Sequence, residues 1–139
     1  MKNALPSGRV LIALILNLAL GNLILLADGT FDFWNVCLSL ACLGILPAGF
    51  RWAARQQTGW RAALIGVLAT LLIPVAGMVL SGLVAGILIG EGAGELLGTV
   101  AVSALFFGVA GGWTFSPPFR AVNAFFFYRH WRASRPSSS

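Results

Sequence analysis

Carboxylates are scarce in this 139-residue chain: Asp28, Asp32, Glu91 and Glu95 are all it has, and His130 is its only histidine. A metal centre built from His, Cys and carboxylate ligands has little to draw on, and a general acid–base pair has few candidates. Cysteine is almost as rare. Cys37 and Cys42 lie five residues apart, which on a helix turns them about 140° from one another, so neither a shared metal nor a mutual disulfide is expected. No serine sits in a pattern that suggests activation by a base, and no glycine-rich phosphate loop follows a strand. The chain is therefore read as a non-enzyme, with no catalytic, metal-binding or cofactor-binding residues.

Charge of either sign is also thin. Only 9% of residues are charged and 58% are hydrophobic, against roughly 25% charged in ordinary soluble domains. With a mean hydropathy of +0.89, so small a chain would have no interior large enough to hide its apolar surface from water. Lipid is the expected solvent. The net charge of +5 then reads as topology signal and as attraction to anionic lipid headgroups, with no nucleic acid expected.

What charge there is alternates in sign. Lys2 and Arg9 are followed by Asp28 and Asp32, then Arg51, Arg55 and Arg61, then Glu91 and Glu95, then Arg120, Arg129, Arg132 and Arg135. Four uncharged apolar stretches separate the groups, at 10–27, 33–50, 62–90 and 96–119. Because Lys and Arg are retained on the cytoplasmic side of short loops, the pattern predicts four crossings with both ends in the cytoplasm. The expected architecture is an all-α integral membrane protein of two antiparallel hairpins. It forms a single domain over 1–132, with spans of about 10–27, 33–50, 62–89 and 96–115. An interfacial segment over 119–132 and a disordered tail over 133–139 complete it. The run from Val10 to Ala27 exceeds the usual h-region of about 7–15 residues, so the first segment is expected to be a retained helix.

Local sequence refines this outline. Ala27-Asp28-Gly29-Thr30 reads as a short external turn, and Phe31, Phe33 and Trp34 as interfacial anchors at the start of the second span. Pro47 and Gly49 are expected to loosen that span's last turn, before an arginine- and tryptophan-rich loop over 51–61. Pro74 is the candidate kink of the third span, where it removes an N–H and crowds the carbonyl of Thr70. Ser116-Pro117-Pro118 stops the fourth span, leaving 119–132 to lie at the cytoplasmic interface as an amphipathic or semi-regular segment.

One small-residue pattern stands out. Gly82, Gly86, Gly90, Gly94 and Gly98 recur at every fourth position, and Ala104, Gly108 and Gly112 form a second series. Residues four apart share a helix face, so Gly82, Gly86 and Gly90 would make a flat groove that admits another backbone. Two readings stay open: the grooves pack the third and fourth spans together, or one faces outward to a partner. Glu91, Gly92 and Glu95 interrupt the series, which predicts a turn over Gly90–Gly94. Asn17 and Asn22 are the polar groups of the first span, either as packing glue or as the lining of a polar cavity. His130, between Arg129 and Trp131, is expected to face headgroups.

No ionisable residue falls inside a predicted span, which counts against ion-coupled transport but not against a passive pore. The expected function is that of an accessory or assembly subunit of a bacterial cell inner membrane, packing as a homo-oligomer or against a larger membrane complex. The alternative is a small homo-oligomeric channel, transporter or holin-like pore.

Overall fold

The computed structural model describes residues 7–25 and 33–136. The lead containing Lys2 and Pro6, the turn Ala27-Asp28-Gly29-Thr30 with Phe31 and Asp32, and the last three serines lie outside the described residues. The elements are α1 (Gly8–Leu25), α2 (Phe33–Ala54), α3 (Gly59–Ile89), α4 (Ala93–Val102), a π-helical run (Ser103–Gly111), α5 (Gly112–Phe115) and α6 (Pro117–Ala133). Phe33–Ala54, Gly59–Ile89 and Ala93–Thr114 are long and apolar enough to cross a membrane, whereas α1 is apolar but shorter. At a rise of 1.5 Å, the 31 residues of α3 extend about 46 Å, beyond a hydrocarbon core of about 30 Å.

The helices overrun their expected limits at the arginine-bearing end. α2 continues through Pro47 to Ala54, and α3 begins at Gly59, so the loop expected over 51–61 shortens to four residues. Pro47 leaves the carbonyl of Leu43 without its usual N–H donor, yet α2 continues through it to Ala54. At the opposite end Gly90 adopts φ +75°, a left-handed cap open to glycine, and its N–H closes the helix on Gly86 and Ile87 carbonyls. The Gly92 N–H then meets the Glu95 carboxylate at 3.4 Å, starting α4.

Residues 100–131 run back along α3. Gly82 faces Val100 and Ser103, Gly108 faces Val75, Gly112 faces Pro74, Gly66 faces Asn123, and Gly59 faces Tyr128 and Trp131. Residues 119–132 therefore pack along α3. Pro117, pre-set for the first helical position, starts a new helix at once, and that helix stays in line with α3. Its inner face buries Asn123 and Phe127 completely. Phe127 stacks on Phe50 at 4.0 Å, within a core of Val10, Ala13, Leu46, Ala53, Ala62, Ile65 and Ala69. The end of α6 is latched by Trp131 Nε1, which donates to the Gln56 carbonyl at 2.8 Å. Within the stretch expected to be disordered, Arg135 donates to the Gln56 and Gln57 carbonyls at 2.7 and 2.8 Å.

Candidate functional site

Thr70, near the middle of α3, is the hub of a polar net inside this apolar bundle. Its hydroxyl donates to the Gly66 carbonyl at 2.9 Å and accepts from Asn123 Nδ2 at 2.7 Å. It is thus spent away from the carbonyl that Pro74 leaves without a donor. Asn123 and Asn17 then form a reciprocal amide pair: Asn17 Nδ2 donates to Asn123 Oδ1 at 2.7 Å, and Asn123 Nδ2 donates to Asn17 Oδ1 at 2.9 Å. Asn17 also donates to the Ala13 carbonyl at 2.7 Å. One turn further along α1, Asn22 donates to the Leu18 carbonyl and to Ser39, and accepts from Asn35 Nδ2 at 3.0 Å. Asn17 and Asn22 thus belong to two separate clusters, as their five-residue spacing requires.

Beside these clusters lies a cavity of about 300 Å³. Its walls come from α1 (Leu18, Gly21, Ile24), α2 (Leu38, Ser39, Cys42), α3 (Ile73, Pro74, Met78) and the passage from the π-helical run into α6 (Gly112, Ser116, Phe119). The void follows from helix placement. The backbone of α1 runs close to α2 and α6 but not to α3 or the π-helical run, so α6 fills the arginine-bearing half, and among the described residues no helix fills the other. Asn17, Asn22, Ser39 and Thr70 border the space, yet their hydrogen bonds run to protein groups, which leaves the wall mainly apolar.

The glycine series divides by position. Gly82 and Gly86 turn inward; a methyl group on Gly86 would strike Leu96 and approach the Glu91 carboxylate. Gly108 and Gly112 also turn inward, within 2.8 Å of Val75 Cα and 2.5 Å of the Pro74 ring for an added Cβ. Ala104 is half-buried, Gly90 forms the cap, and Gly94 and Gly98 have open space around them. The π-helical run lies opposite Pro74 and Val75: Gly108 faces the Val75 backbone and the Pro74 carbonyl, and Gly112, just past the run, faces the Pro74 ring. Sequence reasoning missed three participants. Asn123 is a lone amide in an aromatic run, Asn35 follows two aromatics at a helix start, and Gly66 is seven residues from Gly59.

Arg120 lies beside an apolar stretch of α3. Asn123 is level with Gly66 and Thr70, and Gly112 with Pro74, so Arg120 stands beside the stretch of α3 that exposes Leu68 and Leu72. Its guanidinium covers the Trp113 ring at 4.8 Å, and its buried Nε has no hydrogen-bond partner among the described residues. The only carboxylates among the described residues, Glu91 and Glu95, are at the far end of the bundle, where Glu91 accepts from Thr99 at 2.9 Å. At the arginine-bearing end, His130 Nδ1 lies 3.3 Å from the Ser7 hydroxyl and its ring stands edge-on to Phe50. Burial, and then the Arg9 charge, push its pKa below the usual imidazole value. No protein-family model, curated protein or solved structure matches the chain.

Proposed function

We propose that the chain is a non-enzymatic multi-pass protein of a bacterial inner membrane, crossing it four times with both ends in the cytoplasm. It serves there as an accessory or assembly subunit that packs on itself or on a larger membrane complex. The observation that carries this reading is an outward stripe of Val102, Leu105, Phe106, Val109 and Trp113, all exposed. The small residues behind them are already packed on α3, so the free face of this segment is large, apolar and partly aromatic. Helices associate in lipid through van der Waals packing, and aromatic residues are enriched where proteins meet. Purification in mild detergent tests the reading. A discrete homo-oligomer or a stoichiometric membrane partner is expected, weakened by Leu105→Ala with Phe106→Ala. A stable monomer with no co-purifying protein overturns it.

The cavity favours a second reading, a small homo-oligomeric channel, transporter or holin-like pore with Asn17 and Asn22 along its path. Liposome flux that Asn17→Leu alters without changing assembly would select this reading over the first. The mutual pairing of the amides weighs against it, since a wet path needs polar atoms free to meet water.

A further inference from the structure

We propose that the cavity between α1, α2, α3 and the π-helical run holds one acyl chain of an anionic phospholipid, whose headgroup is met by Arg120. The inference rests on the membrane location put forward above, but not on the accessory role. Three observations converge on this occupant.

The first is volume and wall chemistry. An apolar cavity of about 150 Å³ stays dry and takes up benzene; this one is about 300 Å³. If each methylene occupies about the volume of a liquid water, about 30 Å³, roughly ten would fit. The second is the state of the polar border. Asn17, Asn22 and Thr70 hydrogen-bond to protein groups, so an aliphatic chain can pass them without leaving an amide or hydroxyl unpaired. The third is charge. Ser116 and Phe119 belong to the wall, and Arg120 is the next residue. It is a cation at the depth of exposed leucines, with a buried Nε that nothing described accepts from and no described carboxylate at its end of the bundle. A cation at that depth calls for an anion, and the solvent of apolar helices offers one as a lipid phosphate. A zwitterionic lipid would fill the same space but leave the positive charge less well balanced.

The full-length protein, extracted in mild detergent and stripped of lipid, is offered palmitoyl-oleoyl phosphatidylglycerol or phosphatidylcholine, and retained lipid is counted by native mass spectrometry. One lipid per chain is expected, with phosphatidylglycerol favoured about fivefold, as one basic residue facing an anionic headgroup implies. Gly21→Leu places a side chain in the cavity from a position with no atom within 4 Å of the new Cβ, and is expected to abolish retention of both lipids. Arg120→Gln should keep retention and erase the preference. A phosphatidylglycerol carrying a diazirine in its acyl chain gives a readout on the unaltered protein: label should fall on Gly21, Ile24, Leu38 and Met78. Wild-type retention by Gly21→Leu, an undiminished preference in Arg120→Gln, or label confined to outward residues such as Leu11 and Leu43 would each overturn the proposal. Release of the protein from membranes by alkaline carbonate would instead overturn the membrane location itself.

Discussion

The reciprocal pair Asn17–Asn123 is the sharpest place to test whether the buried polar net holds the bundle together. Asn123→Ala removes both bonds of the pair and the donor to Thr70. Thr70 still donates to Gly66, and Asn17 Nδ2 still donates to Ala13, but Asn17 Oδ1 is left buried without a donor. An orphaned acceptor costs about 1–3 kcal/mol, so a loss of about 2 kcal/mol is expected. Asn17→Ala orphans Asn123 Oδ1 in the same way and should cost a similar amount. The double variant leaves neither amide behind. Hydrogen bonds between membrane helices average ~0.6 kcal/mol in double-mutant cycles, so the reciprocal pair should give a coupling of about 1 kcal/mol. Reversible unfolding in mixed SDS micelles, followed by helical ellipticity, measures all four corners of the cycle. If the two losses simply add, the amides are not bonded to one another, and the seat given to α6 between α1 and α3 is wrong.

Two further outcomes follow from the same structure. A Cβ on Gly66 would sit 2.8 Å from the Asn123 carbonyl oxygen, a backbone atom that moves only with α6, whereas one on Gly44 meets nothing within 4 Å. Gly66→Ala should therefore destabilise by about 1–3 kcal/mol, as overpacking does, while Gly44→Ala should be neutral or gain up to about 1 kcal/mol from helix propensity; thermal unfolding in detergent compares them. His130 has a folded-state pKa below its unfolded value, so the unfolded chain binds the proton more readily. Stability should be fully present above pH ~6.5 and fall as pH drops through the window below it. His130→Asn should flatten that dependence, and a profile unchanged by the substitution would contradict the burial of the ring.

The helical class and the apolar stretches were legible because they depend on composition and on where charges are missing. The break between the helices was legible for the same local reason, but it is shorter than the turn expected over Gly90–Gly94: Gly90 ends α3, and α4 already begins at Ala93, with Glu95 reaching back to the Gly92 N–H. The site was only half legible. Asn17 and Asn22 could be singled out as polar groups in an apolar run, but their partners lie 106 and 13 residues away, and one chain contains no signal for such a pairing. Gly66 was passed over because a fourfold glycine spacing drew attention to the other end of α3, while one of the two tightest backbone approaches sets this single glycine against Asn123. The π-helical run was invisible for a different reason: no proline or charge in Ser103–Gly111 marks it, and the residues it faces, Pro74 and Val75, lie about thirty positions earlier on the neighbouring helix.

Arg120 shows where reading charge along the chain and reading depth across the bundle part company. By order alone it belongs with Arg129, Arg132 and Arg135, and the first two share one helix with it. That helix is not carried away from the bundle at Ser116. It continues along α3, so the twelve residues from Arg120 to Arg132, at 1.5 Å each, spread its cations over about 18 Å along the bundle. Arg132 ends beside the α2–α3 loop that Trp131 and Arg135 grip, while Arg120 stands near Thr70. Sign alternation assigns a whole group to one face and has no term for a helix lying parallel to the spans. The amide pair explains why α6 takes that seat: Asn123 meets Asn17 and Thr70 only if α6 rises to their level, and Phe127 one turn later reaches Phe50. Anchoring those two side chains fixes where Arg120, one turn earlier, must fall. Its depth is thus a consequence of packing, and the unbalanced charge it brings is the feature of the bundle that most asks for a ligand.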